Sequence, residues 1–112
     1  MAIEDEERAP SFVQKPNLRQ DEEEDIIYFE CIVVACPKPE FVWYFDNNLV
    51  KETAKLLPKV REFSSNRFLV SLQLNEPEDE DSGLYKIVVT NKLGDCTGSI
   101  KANFRAVEEK DP

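Results

Sequence analysis

Side chains that commonly carry catalysis or bind metals are scarce in this sequence. The chain has no histidine, the commonest general base and metal ligand. Its three cysteines, Cys31, Cys36 and Cys96, have neither the spacing of a zinc site nor the even number of a small secreted scaffold. Its three glycines are too scattered for a phosphate-binding loop. The sequence therefore predicts a non-catalytic protein with no cofactor, no metal and no small-molecule substrate.

One acidic segment has a faint calcium-binding pattern. The spacing of Asp79, Asp81 and Gly83 is similar to the start of an EF-hand loop. However, Leu84 stands where that loop needs glycine, and Thr90 stands where it needs glutamate. The match to an EF-hand therefore fails, and only a weak, non-specific cation site stays open.

The net charge of the chain, its apolar runs and its sequence signals limit the partners and locations that can be expected. A net charge of −9 repels phosphate backbones, so nucleic acid and anionic membranes are not expected partners. No apolar run approaches the roughly 20 residues of a membrane helix. The acidic residues 1–8 do not resemble a secretory signal, and no asparagine begins an Asn-x-Ser/Thr glycosylation acceptor. Either the protein is cytosolic, or the sequence is an excised piece whose signal lies elsewhere.

Short apolar runs separated by turn residues predict an all-β fold from residue 9 onward. Period-two alternation assigns one face of each run to the core. About seven to nine strands and no long helix favour a sandwich of two packed antiparallel sheets. The predicted inward residues are Ile27, Phe29, Cys31 and Val33; Phe41, Trp43 and Phe45; Phe68, Val70, Leu72 and Leu74; Tyr85, Ile87 and Val89; and Ile100, Ala102 and Phe104.

Two stretches are harder to interpret. The first run, residues 11–14, should end against Pro16 and lie at a sheet edge, because proline cannot donate to a sheet ladder. Residues 49–66 are predicted to form short edge strands with a long loop. A helical turn could form over residues 51–57, but Pro58 forbids a long helix.

A set of motifs resembles one protein family in order and spacing. The motifs are Ala9-Pro-Ser-Phe-Val13; Cys31 with Trp43 twelve residues later and Pro37-Lys-Pro39 between them; Asp81-Ser-Gly83-Leu-Tyr85; and Asn91-Lys-Leu-Gly94. Together they resemble the intermediate-set immunoglobulin domains of titin, twitchin and obscurin-like giant muscle proteins, over roughly residues 9–105. The resemblance implies a domain over 9–106, with tails or linkers at 1–8 and 107–112.

The resemblance gives the motif residues structural roles. Trp43 should fill the space between two sheets that lie about 10 Å apart. Tyr85 should form the tyrosine corner, with its hydroxyl bonded to backbone just upstream. Leu72 and Ile87 join the predicted core, and the turn and corner residues are Asp81, Gly83, Asn91 and Gly94.

The cysteines point to a reducing compartment. Secreted immunoglobulin domains carry a second cysteine two residues after the corner tyrosine, but this chain has Ile87 there. Cys31 should therefore be a small buried hydrophobe. In some related muscle domains a cysteine placed like Cys96 can pair with the one placed like Cys31, so the resemblance leaves open a Cys31–Cys96 disulfide under oxidation. Cys36, expected in a loop, is the best candidate for an exposed reactive thiol.

Two acidic runs should meet at one end of the sandwich, where the chain leaves, together with the turn at Asp46. We call them the acidic pole: Asp21, Glu22, Glu23, Glu24, Asp25, Glu76, Glu78, Asp79 and Glu80. Basic residues instead collect in the middle of the sequence: Lys51, Lys55, Lys59, Arg61 and Arg67. The acidic pole is either a set of solvated loops that aid solubility or an electrostatic docking site for a basic partner or neighbouring domain.

The resemblance also implies a function. It favours a non-catalytic structural and protein-interaction module of a large intracellular sarcomeric protein, in the cytoplasm at the myofibril. The module would be a spacer, a tension-bearing link or a docking domain beside other immunoglobulin or fibronectin-type domains. Two alternatives stay open. One is a regulatory domain that flanks a kinase in such a protein. The other is an extracellular adhesion or receptor domain, which Ile87 and the missing glycosylation acceptors disfavour.

Overall fold

The computed structural model describes residues 6–104, which form eight strands in two four-stranded antiparallel sheets. The strands are β1 (Arg8–Asp21), β2 (Ile26–Cys36), β3 (Glu40–Phe45), β4 (Asn48–Leu49), β5 (Leu56–Ser64), β6 (Arg67–Asn75), β7 (Gly83–Asn91) and β8 (Gly94–Ala102). The first sheet has the order β1-β2-β6-β5, and the second has the order β4-β3-β7-β8. Apart from a 3-10 turn at Asp79–Asp81, the described part of the chain has no helix. This confirms the predicted all-β sandwich.

The core lies between the sheets and follows the predicted period-two pattern. On β2, β6 and β7 the inward residues are almost completely buried, and Trp43 of β3 is 4% exposed. The Phe29 and Tyr85 rings stack across the sheets with centroids 4.2 Å apart. Four predicted core residues are only partly buried and pack against the rim of the core: Phe41, Phe45, Ile100 and Phe104.

Strand β1 is longer than the sequence predicted. The prediction ended it before Pro16, whereas β1 continues through that residue to Asp21. The pairing of β1 with β2 shifts register between Gln14 and Asn17, so Pro16 lies at an irregularity of an edge strand. Because the ladder needs no donor there, proline does not end the strand.

The prediction of short strands and a long loop over residues 49–66 was wrong for β5. This strand has nine residues and pairs along β6 from Leu56↔Leu74 to Ser64↔Arg67. No helical turn forms before it, and the Ala54 and Lys55 carbonyl oxygens instead accept hydrogen bonds from the Asn75 Nδ2 and N–H at 3.0 and 2.9 Å. Pro58 fits within β5 because β5 is an edge strand.

Candidate functional site

The Tyr85 hydroxyl fixes the turn that precedes β7. It donates a 2.6 Å hydrogen bond to the Asp81 carbonyl oxygen. Burial, with the charges of Asp81 and Asp46, raises the pKa of Tyr85 far above its usual range, so this hydroxyl keeps its proton at physiological pH. The Asp81 carboxylate accepts the N–H of Glu78 at 2.7 Å. Asp81 therefore stabilises this turn of the acidic segment through both its carbonyl oxygen and its carboxylate.

Gly83 lets the β3–β4 turn close against the start of β7. Its φ is +155°, and a Cβ there would lie 2.7 Å from both Asp46 carboxylate oxygens and from Phe45 Cε1. Asp46 exchanges hydrogen bonds with Leu84: its Oδ1 accepts the Leu84 N–H, and its own N–H donates to the Leu84 carbonyl, both at 2.8 Å. Glycine is required here because a side chain would push the two segments apart.

At the opposite end of the sandwich, Asn91 ties three segments together. Its Nδ2 donates to the carbonyl oxygens of Arg8 at 3.0 Å and Pro37 at 3.1 Å, and its Oδ1 accepts the N–H of Leu93 at 2.9 Å. Nearby, Gly94 has φ +150°, and a Cβ there would lie 3.3 Å from the Ala9 Cβ. The sequence identified Asn91 only as a turn residue, because its partners are 83 and 54 positions away.

A close contact between β1 and β8 at Gly98 was not predicted from the sequence. A Cβ on Gly98 would lie 2.7 Å from Pro16 Cγ and 3.1 Å from Phe12 Cζ. A glycine inside a strand often marks the close approach of another backbone, and this was the available signal. Through Gly98, the first strand of the domain packs directly on the last.

The structure corrects the prediction for Cys36. This residue ends β2 rather than lying in a loop, and it is only 9% exposed. Its burial follows from pairing, because Arg8 of β1 lies opposite it in the ladder. Cys36 is therefore a poor candidate for an exposed reactive thiol. The half-buried Cys96 is the most accessible of the three cysteines, since Cys31 is completely buried.

All three thiols are free. Burial and, to a smaller extent, the neighbouring Cys96 raise the pKa of Cys31 to about 12. Burial, with the charge of Asp95, also raises the pKa of Cys96. Both groups are therefore neutral thiols with low nucleophilicity at physiological pH. The Cys31–Cys96 disulfide stays a prediction for oxidising conditions.

The two runs of the acidic pole lie side by side. The N–H of Glu76 donates to the Asp25 carbonyl oxygen at 2.8 Å, which joins the β1–β2 turn to the segment after β6. Glu22, Glu23 and Glu24 are exposed, and among residues 6–104 their carboxylates have no hydrogen bond or ion pair. The last described residue, Phe104, lies next to Glu78, Asp79 and Glu80 around a shallow pocket.

Lys55 lies in the acidic pole, although the sequence placed it with the basic residues elsewhere. Its Nζ donates to the Glu76 carbonyl at 2.9 Å and lies 3.2 Å from Asp81 Oδ2 and 3.7 Å from Glu78 Oε1. The reason is the pairing of β5 with β6: the Asn75 N–H donates to the Lys55 carbonyl oxygen, which brings Lys55 beside the end of β6. One cation therefore offsets part of the negative charge.

Over residues 6–104, the structure contains no helix long and apolar enough to cross a bilayer. The same residues contain no group of three or more Cys, Asp or Glu side chains placed to hold a metal ion. What they do form is a set of structural ties: the Tyr85 corner, the Gly83 contact, the Asn91 clamp and the β1–β8 contact. Two antiparallel sheets with a buried tryptophan and a tyrosine corner define an immunoglobulin-like domain.

The chain belongs to the Immunoglobulin I-set domain family, whose model matches residues 10–103. It is 25% identical over 104 residues to titin of Drosophila melanogaster and 26% identical over 112 residues to the muscle M-line assembly protein unc-89 of Caenorhabditis elegans. These matches cover 92% and 100% of this chain, but only 1% of the length of each relative. The resemblance to titin-like muscle proteins is thus confirmed.

A relative outside the muscle proteins also matches. The chain is 32% identical over 96 residues to mouse inactive tyrosine-protein kinase 7, and the match covers 86% of this chain and 8% of that protein.

The solved structure of titin M4 superimposes on this chain with a TM-score of 0.73 at 20% identity. The match covers 87% of this chain and 96% of the titin M4 chain, which supports the fold. Immunoglobulin domains of muscle proteins are protein-interaction modules that lie beside other such domains.

Proposed function

We propose that this domain is a non-catalytic structural link in a large intracellular sarcomeric protein, located in the cytoplasm at the myofibril. Its relatives include titin and a muscle M-line assembly protein, and it spans about 1% of each. Its neighbours in the parent chain would be further immunoglobulin or fibronectin-type domains. Ile87, at the position where secreted immunoglobulin domains carry their second cysteine, supports this over an extracellular receptor domain. A regulatory domain beside a kinase would require a kinase in the flanking chain.

The points at which the chain enters and leaves the sandwich carry the proposal of a tension-bearing spacer. The chain enters β1 at Arg8, which Asn91 holds at the far end of β7. It leaves after β8 at Phe104, whose N–H donates to Ser82 Oγ, just before β7 begins, at 2.8 Å. A nine-residue strand spans on the order of 30 Å, so the domain separates its two ends by the length of the sandwich.

Tension applied at these ends would load β1 and β8 in opposite directions along their lengths. Both strands run from the Asn91 end toward the acidic pole, so pulling must slide one past the other at the Gly98 contact. Many contacts then break together rather than one after another. This geometry suits a link that keeps its fold under load.

The location is tested by expressing the parent protein, with this domain intact, as a fluorescent fusion in striated muscle cells. We expect periodic striations in register with the sarcomere. Uniform cytoplasmic fluorescence would contradict the sarcomeric assignment, and fluorescence at the cell surface would favour a receptor domain instead.

We propose a second function for the acidic pole as a docking site for a basic partner or for the next domain. It is supported by the exposed, unpaired Glu22, Glu23 and Glu24 and by the closeness of the acidic pole to Phe104, where the chain leaves. Exposed charges of this kind act mainly on association rate and salt dependence.

The docking function is tested by titrating the domain with the domain that follows it in the parent chain. Affinity should fall steeply between low and physiological salt, and the triple change E22Q/E23Q/E24Q should reproduce that loss at low salt. Binding that does not depend on salt would contradict the docking proposal. The acidic pole would then be a set of solvated loops that aid solubility.

A further inference from the structure

Strand β5 forms an open edge with an unusual charge. Among the described residues it pairs only with β6, on one side. Lys59 and Arg61 lie on it, and none of the ion pairs over residues 6–104 includes either cation, although the whole chain has a net charge of −9. Val60 and Phe63, on the same strand, are 42% and 45% exposed. This edge therefore offers unpaired positive charge together with apolar surface.

The register shows which backbone groups of β5 point outward. The Asn75 N–H donates to the Lys55 carbonyl oxygen at 2.9 Å, and in an antiparallel ladder such bonds recur at every second residue. Residues 57, 59 and 61 therefore bond to β6, whereas Pro58, Val60 and Glu62 direct their backbone groups away from the sheet. Pro58 has no N–H to leave unpaired. The pairing groups on this edge are thus centred on Val60.

The side chains around Val60 select the chemistry of a strand that could pair there. Lys59 and Arg61 share the outer face, about 7 Å apart, as alternate residues of a strand do. With Val60, Leu69 and Ser71 they line a shallow groove. Carboxylates two residues apart on an added strand would lie opposite both cations, and opposite charges across strands stabilise the pair.

A second copy of the same edge is a poor occupant. If two β5 strands paired antiparallel, the cations of one would face those of the other. Like charges directly opposite each other are destabilising, and such charges are a usual defence against edge-to-edge association. The occupant must therefore have the opposite charge.

We propose that the β5 edge from Pro58 to Glu62 binds an extended acidic peptide segment of another protein by strand addition. The segment would follow an acid–apolar–acid pattern, with two carboxylates opposite Lys59 and Arg61 and an apolar side chain against Val60. This goes beyond the spacer role and uses neither chain end nor the acidic pole, so the spacer function stands or falls separately.

The test uses the isotope-labelled chain and a short peptide that contains Thr-Glu-Val-Glu-Thr, with the Thr-Gln-Val-Gln-Thr peptide as its neutral control. Titration of the acidic peptide should shift the amide signals of Val60 and Glu62 most. The double change K59S/R61S should weaken binding at least tenfold. The matched double change K38S/K101S removes the same charge from exposed sites away from β5 and should weaken binding less than twofold.

The backbone part is tested by V60P, which removes an outward N–H without removing a bond to β6 and should also weaken binding at least tenfold. Equal losses in the two charge variants would overturn the proposal in favour of general charge attraction. Equal binding of the neutral peptide, or amide shifts centred away from Val60, would also overturn it. So would sedimentation that shows the free chain to be a dimer, if the double change K59S/R61S abolishes that dimer. The peptide shifts and charge variants decide the matter even where V60P fails to fold.

Discussion

The two edge strands of the first sheet, β1 and β5, each contain a proline but differ in what covers them. Pro16 of β1 packs against Gly98 of β8, and Asn91 holds the start of β1. Pro58 of β5 has no strand beyond it among the described residues. One edge is thus closed by the last strand of the domain, and the other is open. The same sandwich can therefore carry tension along one edge and present backbone groups to a partner along the other.

The largest effect expected of a single substitution is at the closed edge. G98A would place a Cβ 2.7 Å from Pro16 and force β1 away from β8, which should lower the free energy of unfolding by about 2–3 kcal/mol. T97A changes an exposed neighbour on the same strand and should cost less than about 0.5 kcal/mol. Urea denaturation of both variants measures the difference. Equal free energies of unfolding for the two variants would contradict this prediction, because they would mean that β1 can move away from residue 98 without loss of stability.

Raising the pH should weaken the core that both edges share. Burial raises the pKa of Cys31 to about 12, above its value in the unfolded chain, near 8.5. Below about pH 8.5 the Cys31 thiol is neutral in both the folded and the unfolded chain, so its ionisation takes nothing from the free energy of unfolding. Above it, the unfolded chain ionises first, so stability should fall by up to about 1.4 kcal/mol per pH unit.

Denaturation of the wild type and C31V between pH 8 and pH 11 checks this dependence. C31V should lose less stability over that range, although Tyr85, whose pKa is also raised by burial, still contributes near the upper end. Parallel curves for the two proteins would show that Cys31 does not ionise on unfolding as described.

The Asn91 clamp should affect β1 and spare β5. N91A removes hydrogen bonds to the carbonyl oxygens of Arg8 and Pro37, which should lower the free energy for local opening of the start of β1 by about 1–2 kcal/mol. Hydrogen exchange should become faster at the start of β1, while the amides of β5 that bond to β6 keep their wild-type rates. Faster exchange in both strands would instead indicate a loss of global stability.

Substitutions on the open edge should have the smallest effect on stability. V60T and F63S alter side chains that are about half exposed, so each should change the free energy of unfolding by no more than about 0.5 kcal/mol. Thermal or urea denaturation checks this. A loss comparable with that of G98A would show that β5 supports the fold as strongly as β1 does.

The sequence predicted the inner strands well and both edges poorly. Alternation is a local signal, so Phe29, Leu72 and Ile87 could be assigned to the core from their neighbours alone. The full length of β5 and the burial of Cys36 depend on which distant strand pairs with them. The same holds for Lys55, whose contacts with Glu76, Glu78 and Asp81 all lie at least 21 positions away along the chain. Composition and spacing carry no record of such pairings.

The most direct test of the tension-bearing role is single-molecule force spectroscopy on a tandem array of the domain stretched by its ends. The contact at Gly98 should resist sliding of β1 past β8, so G98A should unfold at a lower force than both the wild type and T97A. The β5 variants V60T and F63S should unfold at the wild-type force. If G98A kept the wild-type force while a β5 variant lowered it, β1–β8 would not be the contact that resists tension, and the account would be contradicted.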